Sequence, residues 1–202
     1  MSLNLLIIGP SGGGVSYQAK SLAAKYGLAC ISMGQLLRDQ IDQATEIGQR
    51  AKPFIDQGLW VPDEITFTVL KEALSAAGNS NFILDGFPRA FNQGPLLEEY
   101  LKGFDQSVNL LIHLNVPFTE IQSRRQSSES LGLHFHQEKR SDDTPVSITN
   151  QQKAYADTIN PILEYFNLKD LLFQVDGNRT KDDVFNYICQ AVDKLEPTKK
   201  DV

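Results

Sequence analysis

The sequence LNLLIIGPSGGGVS, from Leu3 to Ser16, decides the fold of this 202-residue chain. Its first half is almost entirely apolar, which predicts a short strand buried on both faces. Glycines follow the strand, and a helical pattern begins directly after them. A glycine-rich turn in this position lets the backbone wrap around a phosphate, while the helix directs its N–H groups at the anion. The residues predicted to form this phosphate loop are Gly9, Gly12, Gly13, Gly14, Val15 and Ser16.

Val15 departs from the usual form of such a loop. A lysine after the last glycine would reach the β- and γ-phosphates of a nucleotide, and the valine carries no charge with which to do so. If this motif stood alone, an ordinary glycine-rich turn between a strand and a helix would explain it equally well. The loop predicts phosphate binding through the backbone and needs support from other parts of the sequence.

Strand and helix patterns alternate along the rest of the chain. Apolar runs that predict strands lie at residues 3–9, 28–32, 81–85, 108–116 and 171–175. A helical pattern follows each run, which predicts an α/β fold with a five-stranded parallel sheet between two helical layers. In such a fold the ligand lies at the carboxyl ends of the strands. Two stretches interrupt the alternation and predict insertions: the helix-like residues 34–76 and the polar residues 126–143.

Composition narrows the class of function. The formal net charge of -6 argues against polymeric nucleic acid or an anionic membrane as a partner, because both favour a basic face. No apolar run approaches the roughly 20 residues of a membrane span, so we expect a cytoplasmic protein. Cys30 and Cys189 lie far apart and form no Cys-x-x-Cys pair, which predicts reduced cysteines and no zinc site.

The second motif is Asp85-Gly-Phe-Pro-Arg89 at the end of the third predicted strand, with Gln93 four residues later. Together with the phosphate loop, this string resembles the adenylate kinase family of nucleoside monophosphate kinases. The resemblance covers nearly the whole chain. Further matching segments are residues 31–38, 58–64, Arg124, 140–143, Tyr155, Pro161 and 175–177.

The resemblance implies one domain, over residues 1–202, of the P-loop-type three-layer fold. Its core would comprise residues 1–31, 63–124 and 144–195. A helical monophosphate-binding insertion would span residues 32–62, and a short lid residues 125–143. The family match also implies that the protein is a monomer whose ligands are AMP or a related nucleoside monophosphate and possibly ATP.

On the AMP side, the resemblance assigns roles to four retained residues. Arg38 and Arg89 match family positions that grip the α-phosphate, and their planar guanidinium groups suit phosphate oxygens. Gln93 matches the residue that hydrogen-bonds the adenine edge. Asp85 matches the carboxylate that organises Mg²⁺ through water, with Mg²⁺ serving as cofactor together with ATP. Residues that differ from the family pattern on this side are Met33, Gln35 and Leu59.

The ATP side departs further from the family pattern. Arg89, Arg124 and Arg140 match catalytic arginines, and cations of this kind neutralise the charge on the transferred phosphoryl group. Tyr17 adds bulk beside the loop, where the family has a threonine. The positions at which the family has a cation or a glycine and this chain has neither are Val15, Ser16, Ser128, Thr149 and Gln151.

Two smaller features leave alternatives open. His134, His136 and Glu138 could ligate a metal ion, although a solvated surface loop explains them better. Trp60, the single tryptophan, could pack at the monophosphate site or fill a gap.

Three functions from different classes fit these observations. One is a divergent kinase that transfers the γ-phosphoryl group of ATP to AMP, with a cation such as Lys139 assisting Arg124 and Arg140. Another is a nucleotide-binding pseudoenzyme that senses AMP and has little or no activity. The third is an interaction protein that uses the fold alone. We rank the pseudoenzyme slightly above the kinase, because several cations are replaced together, and the retained AMP residues argue against a scaffold.

Overall fold

The sheet is five-stranded, parallel throughout, and ordered β2-β3-β1-β4-β5. The computed structural model describes residues 2–130 and 144–195, and of residues 128–130 only the backbone. The strands are β1 (Asn4–Ile8), β2 (Ala29–Ser32), β3 (Phe82–Asp85), β4 (Leu110–Asn115) and β5 (Leu172–Asp176). Each strand begins and ends within two residues of its predicted bounds, and the predicted α/β fold with its parallel sheet is confirmed.

The helices of the described residues connect these strands. They are α1 (Val15–Tyr26), α2 (Met33–Asp42), α3 (Glu46–Gln57), α4 (Asp63–Ala76), α5 (Gln93–Lys102), α6 (Phe118–Ser130), α7 (Pro145–Asn167) and α8 (Lys181–Val192). The side chains of Thr45, Thr144 and Thr180 accept hydrogen bonds from the first turns of α3, α7 and α8, which explains where these helices begin. None of these helices is long and apolar enough to cross a membrane.

Apolar side chains fill the space on both sides of the sheet. One cluster packs β1, β3 and β4 against α1 and α8, and it includes Leu5, Leu22 and Ile188, all without solvent exposure. The other packs the opposite face against α4, α5 and α7, with Phe82 and Phe166 at its centre. Strands buried on both faces explain the unbroken apolar runs in the sequence. The strand ends are thereby fixed in position.

The phosphate loop lies at the end of the central strand. β1 pairs with β3 on one side and β4 on the other, with Ile7 opposite Asp85 and Ile8 opposite His113. The loop and the Asp85-Gly-Phe-Pro-Arg89 motif therefore leave adjacent strands at the same edge of the sheet. This edge is the place where parallel sheets bind their ligands.

The helical stretch between β2 and β3 docks onto α7. Gly58, which ends α3, has φ of 70°, and a Cβ there would lie 2.2 Å from the carbonyl oxygen of Ser147 on α7. The side-chain amide of Asn150 donates a hydrogen bond to the carbonyl oxygen of Gln57 at 2.8 Å. Only glycine fits this conformation and this close approach without strain. Residues 57 and 58 are therefore held directly against α7.

Candidate functional site

A cleft of about 1580 Å³, formed by residues between Ile8 and Val184 of the described chain, runs along the carboxyl edge of the sheet. The phosphate loop forms its floor, α2 and the α3–α4 connection form one wall, and α6, α7 and the end of β5 form the other. Ligand pockets commonly measure about 300–1,000 Å³, so this cleft is large enough for more than one small ligand. The predicted loop residues and the predicted arginines on described elements all line it.

The backbone of the phosphate loop has the expected form. Gly12 and Gly14 have φ of 86° and 92°, values that side-chain-bearing residues rarely adopt. The N–H of Gly13 donates a hydrogen bond to the carbonyl oxygen of Pro10 at 2.9 Å. A Cβ at Gly9 would lie 2.9 Å from the carbonyl oxygen of Leu114, so the loop needs glycine there as well. Because α1 begins at Val15, its N-terminal end and its positive dipole face the cleft.

The side chains that follow the last glycine make different contacts. Val15 packs against the apolar cluster between the sheet and α1. Tyr17 is exposed at the rim, and the ammonium group of Lys181 lies 4.8 Å from the centre of its ring. Lys181 is the first residue of α8, close to the end of β5. The cleft thus has a cation beside the loop, although that cation comes from another part of the chain.

Several basic residues line the cleft. Arg38 comes from α2, Arg89 follows β3, and Arg124 lies on α6. Three further basic residues of the described chain line the cleft and were not predicted. The only signal in the sequence was a basic residue within α1 or a few residues after β5. The three residues are Lys20, Arg179 and Lys181.

Arg124 is held by neighbours within the protein. Its Nε donates to the Glu120 carboxylate at 2.7 Å, one turn earlier on α6. One terminal nitrogen donates to the carbonyl oxygen of Gly177 at 2.9 Å, directly after β5. These bonds fix the guanidinium at the wall of the cleft and connect α6 to β5. A phosphate that approached Arg124 would compete with the Glu120 carboxylate.

The two arginines assigned to the AMP side lie against glycines. Arg89 donates from Nε to the carbonyl oxygen of Gly86 at 2.8 Å, and a Cβ on Gly86 would lie 3.1 Å from its guanidinium. Arg38 donates to the amide oxygen of Gln35 at 3.2 Å, and a Cβ on Gly34 would approach its guanidinium to 3.2 Å. Both side chains line the same cleft, and their contact with a phosphate stays a prediction.

Gln93 is buried and bonded at both ends of its side chain. Its amide oxygen accepts from the backbone N–H of Arg89 at 2.7 Å, and its amide nitrogen donates to the Asp63 carboxylate at 2.6 Å. The side chain is only 2% exposed. Gln93 thus connects the turn after β3 to the start of α4. Its assigned contact with an adenine edge stays a prediction.

Trp60 lies over Arg89. The guanidinium carbon is 4.8 Å from the centre of the tryptophan ring, and the indole N–H donates to the Thr158 hydroxyl at 3.3 Å. Trp60 is partly buried and lines the cleft beside Arg89. It also borders a small gap next to Gln93, so its packing is compatible with both alternatives left open by the sequence.

Asp85 fits a role next to Mg²⁺. It ends β3, its side chain is buried at the floor of the cleft, and an oxygen ligand of this kind suits Mg²⁺. Within residues 2–130 and 144–195 there is no group of three His, Cys, Asp or Glu that could hold a metal ion. Mg²⁺ commonly keeps several waters and binds through one or two carboxylates and the substrate phosphates, so a single aspartate is compatible with it.

The positions of the missing cations are only partly described. Gln151 lines the cleft and donates to the Ser147 hydroxyl at 3.2 Å. Thr149 is exposed, and its hydroxyl donates to the carbonyl oxygen of Pro145 at 2.9 Å. Residues that lie outside the described part of the chain, or whose side chains do, are Ser128, His134, His136, Glu138, Lys139 and Arg140.

A buried histidine beneath the cleft was not predicted. His113 on β4 is 4% exposed, with Nε2 2.7 Å from the Tyr155 hydroxyl and Nδ1 3.1 Å from the Gln174 amide oxygen. A neutral imidazole satisfies both neighbours if Nδ1 donates and Nε2 accepts. Burial lowers the pKa of His113 and raises the pKa of Tyr155, which lines the cleft. The available signal was one polar residue within an apolar run.

Comparison with known proteins agrees with this geometry. The family model described as adenylate kinase matches residues 7–171. The chain is 31% identical to the adenylate kinase of Archaeoglobus fulgidus and 34% identical to that of Salinibacter ruber, and each alignment covers 96% of this chain and 100% of the relative. An adenylate kinase of Staphylococcus epidermidis is 30% identical over the same shares of both chains. This chain therefore belongs to the adenylate kinase family.

Proposed function

We propose that this protein binds AMP and, more weakly, ATP in the one cleft, and that it transfers the γ-phosphoryl group between them slowly or not at all. The observation that carries the proposal is the position of Val15. At the place where a phosphate loop needs a lysine, this chain has an apolar side chain that packs against the core. Arg38 and Arg89, in contrast, both remain in the cleft.

AMP binding rests on these two arginines. Each contributes a charged, planar donor group to the lining of the same cleft, and charge-assisted hydrogen bonds to phosphate are roughly twice as strong as neutral ones. The glycines beside them leave room for both guanidinium groups. An α-phosphate held there would lie beside the loop at the centre of the sheet, which is the placement that phosphoryl transfer needs.

ATP binding rests mainly on the backbone. The loop conformation and the N-terminal end of α1 do not depend on the side chain at position 15, so they retain their attraction for phosphate. Each missing charged contact costs about 1.5–3 kcal/mol of binding. When bound with ATP, Mg²⁺ would neutralise phosphate charge next to Asp85. We therefore expect ATP to bind more weakly than AMP.

Slow transfer follows from the number of replaced cations. Phosphoryl transfer depends on positioning and on cations around the transferred group. Loss of one such contact typically costs about 10²- to 10³-fold in rate. Val15 and Gln151 both line this cleft without a charge, and Arg124 is engaged by Glu120. Together, the lost cationic contacts are enough to reduce the turnover rate to a barely detectable level.

An active kinase is the second candidate, and a specific observation favours it. Lys20, Arg179 and Lys181 line the same cleft, and Lys181 lies beside Tyr17 next to the loop. These side chains would replace some of the missing charge if they reached the phosphates. The candidate predicts turnover that depends on Lys181.

One pair of measurements separates the candidates. Calorimetry should detect AMP and weaker ATP binding to the intact protein, and a coupled assay of ADP formation from ATP, AMP and Mg²⁺ should detect little or no turnover. Turnover at ordinary adenylate kinase rates would overturn the proposal in favour of the active enzyme. Absence of both AMP and ATP binding would overturn it in favour of a scaffold. Lys181→Ala serves as the test of the substitute cation in either assay.

A further inference from the structure

We propose that Trp60 closes the base pocket of the monophosphate site, so that the protein grips the phosphate of its ligand while the base contributes little to affinity. This inference rests on the proposed binding of a monophosphate by Arg38 and Arg89. It makes Trp60 a specificity-determining residue. The ligand class that follows is sugar monophosphates with or without a base, rather than nucleotides selected by their base.

The first observation is the space behind the tryptophan ring. A gap of about 10 Å³ lies there, bordered by Arg89, Gln93 and apolar side chains. Such a volume holds about one water molecule and is far smaller than any nucleobase. The residues on its apolar side are Met33, Leu37, Val61, Thr66 and Phe87. The gap beside Trp60 is therefore too small for a base, and the indole is one of the side chains that enclose it.

The second observation is the state of Gln93, which borders the same gap. The amide oxygen of Gln93 accepts a hydrogen bond from the backbone N–H of Arg89 at 2.7 Å. Its amide nitrogen donates one to the Asp63 carboxylate at 2.6 Å. A base that entered would have to share or displace these bonds in a buried setting, where an unsatisfied polar group is costly. The polar group assigned to read the base is thus already satisfied within the protein.

The third observation is how the ring is held. Trp60 lies in the short connection between α3 and α4, but its two polar contacts are to other elements: Thr158 on α7 and Arg89 after β3. A single hydrogen bond of 3.3 Å and one cation–π contact hold the indole from the cleft side. The hydrogen bond and the cation–π contact hold the indole in the position that excludes a base. A separate substitution can remove each of them.

The test compares a ligand that has a base with one that lacks it. AMP and ribose 5-phosphate share the phosphate and sugar, so the ratio of their dissociation constants measures what the base adds. For the intact protein we expect the two constants to agree within about threefold. Trp60→Leu should tighten AMP at least about tenfold and leave ribose 5-phosphate within about threefold. Calorimetry measures all four values, and Phe104→Leu, an exposed aromatic residue outside the cleft, is the matched control.

A second variant, at Thr158, keeps Trp60 and therefore its fluorescence. Thr158→Val removes the hydrogen-bond acceptor of the indole at nearly constant volume, so AMP should bind more tightly than in the intact protein. Because Trp60 is the only tryptophan in the chain, its emission reports the ring directly. AMP should shift this emission more than ribose 5-phosphate does in Thr158→Val.

The opposite outcome would overturn the inference. If AMP binds the intact protein much more tightly than ribose 5-phosphate does, and Trp60→Leu weakens AMP, the indole stacks on the base instead of excluding it. If neither ligand binds the intact protein but AMP binds Trp60→Leu, Trp60 excludes the base but the intact protein does not hold the phosphate. That outcome overturns the proposed function and, with it, the inferred preference for sugar monophosphates. If neither ligand binds either protein, both fail.

Discussion

The two ends of the cleft have diverged in opposite ways. Where we propose that AMP binds, Arg38 and Arg89 keep their charges, and Trp60 lies over the Arg89 guanidinium. At the other end, the glycine turn keeps its conformation, but Val15 offers no charge. The difference shows that backbone and side chains respond differently to substitution. The loop keeps the attraction of its backbone N–H groups whatever residue stands at position 15, whereas attraction from side chains persists only where the charged residue itself is kept, as at Arg38 and Arg89.

The largest expected effect comes from rebuilding the charged end completely. We expect the combination Val15→Lys, Ser128→Arg, Thr149→Arg and Gln151→Arg to raise the rate of ADP formation at least about 100-fold over Val15→Lys alone, because each transition-state donor typically contributes about 10²- to 10³-fold. The coupled assay measures the rate. An unchanged rate would show that these positions do not limit catalysis.

Removing a charge from the monophosphate end is the next test. Arg89→Ala should weaken AMP binding about tenfold to hundredfold, the equivalent of about 1.5–3 kcal/mol for a charge-assisted contact. Calorimetry measures the affinity, and circular dichroism verifies the fold. Arg50→Ala is the matched control, because Arg50 is an exposed arginine paired with Glu64 and lies outside the cleft. Equal AMP affinity in both variants would contradict the role of Arg89.

A single lysine should give a smaller effect. Val15→Lys places a charge where the β- and γ-phosphates are expected, and we predict that ATP binds about tenfold more tightly. The rate should change little, because the arginines are still missing. Full kinase activity in this variant would show that the lysine alone was limiting. Unchanged ATP affinity would show that the loop does not hold a triphosphate.

The smallest effect concerns His113, the buried histidine on β4. Burial lowers the pKa of His113. The imidazole of the unfolded chain therefore takes up a proton at about pH 6.5, whereas the imidazole of the folded protein stays neutral there. The unfolded state then binds more protons, and stability falls as the pH drops through this range. Urea unfolding at about pH 7.5 and 5.5 should show a smaller difference for His113→Asn than for the intact protein. Equal differences would exclude His113 as a source of the pH dependence.

The sequence predicted the sheet well because its central strands β1, β3 and β4 are buried on both faces and give unbroken apolar runs. Every apolar run became a strand, and the glycine turn fixed which edge binds the ligand. Residues 34–76, predicted only as helix-like, divide into α2, α3 and α4. Local sequence could not place those boundaries well, because Gly58 ends α3 against a residue on α7 that is far away in sequence.

Side-chain contacts in the site were much harder to predict. Gln93 bonds to Asp63, 30 residues earlier, and Trp60 bonds to Thr158, 98 residues later. No periodic pattern encodes such pairs, because each depends on how two elements pack. Charges at Arg38 and Arg89 were predictable from motif position, whereas Lys181 beside Tyr17 was not.

The packing of Val15 has a consequence for how the protein can change. In a phosphate loop with a lysine, the side chain at position 15 would bind the nucleotide. Here Val15 packs against the core and therefore contributes to folding stability. Val15→Lys gives up apolar contact, so tighter ATP binding would be accompanied by a lower melting temperature. Folding stability and nucleotide binding therefore compete for this one position.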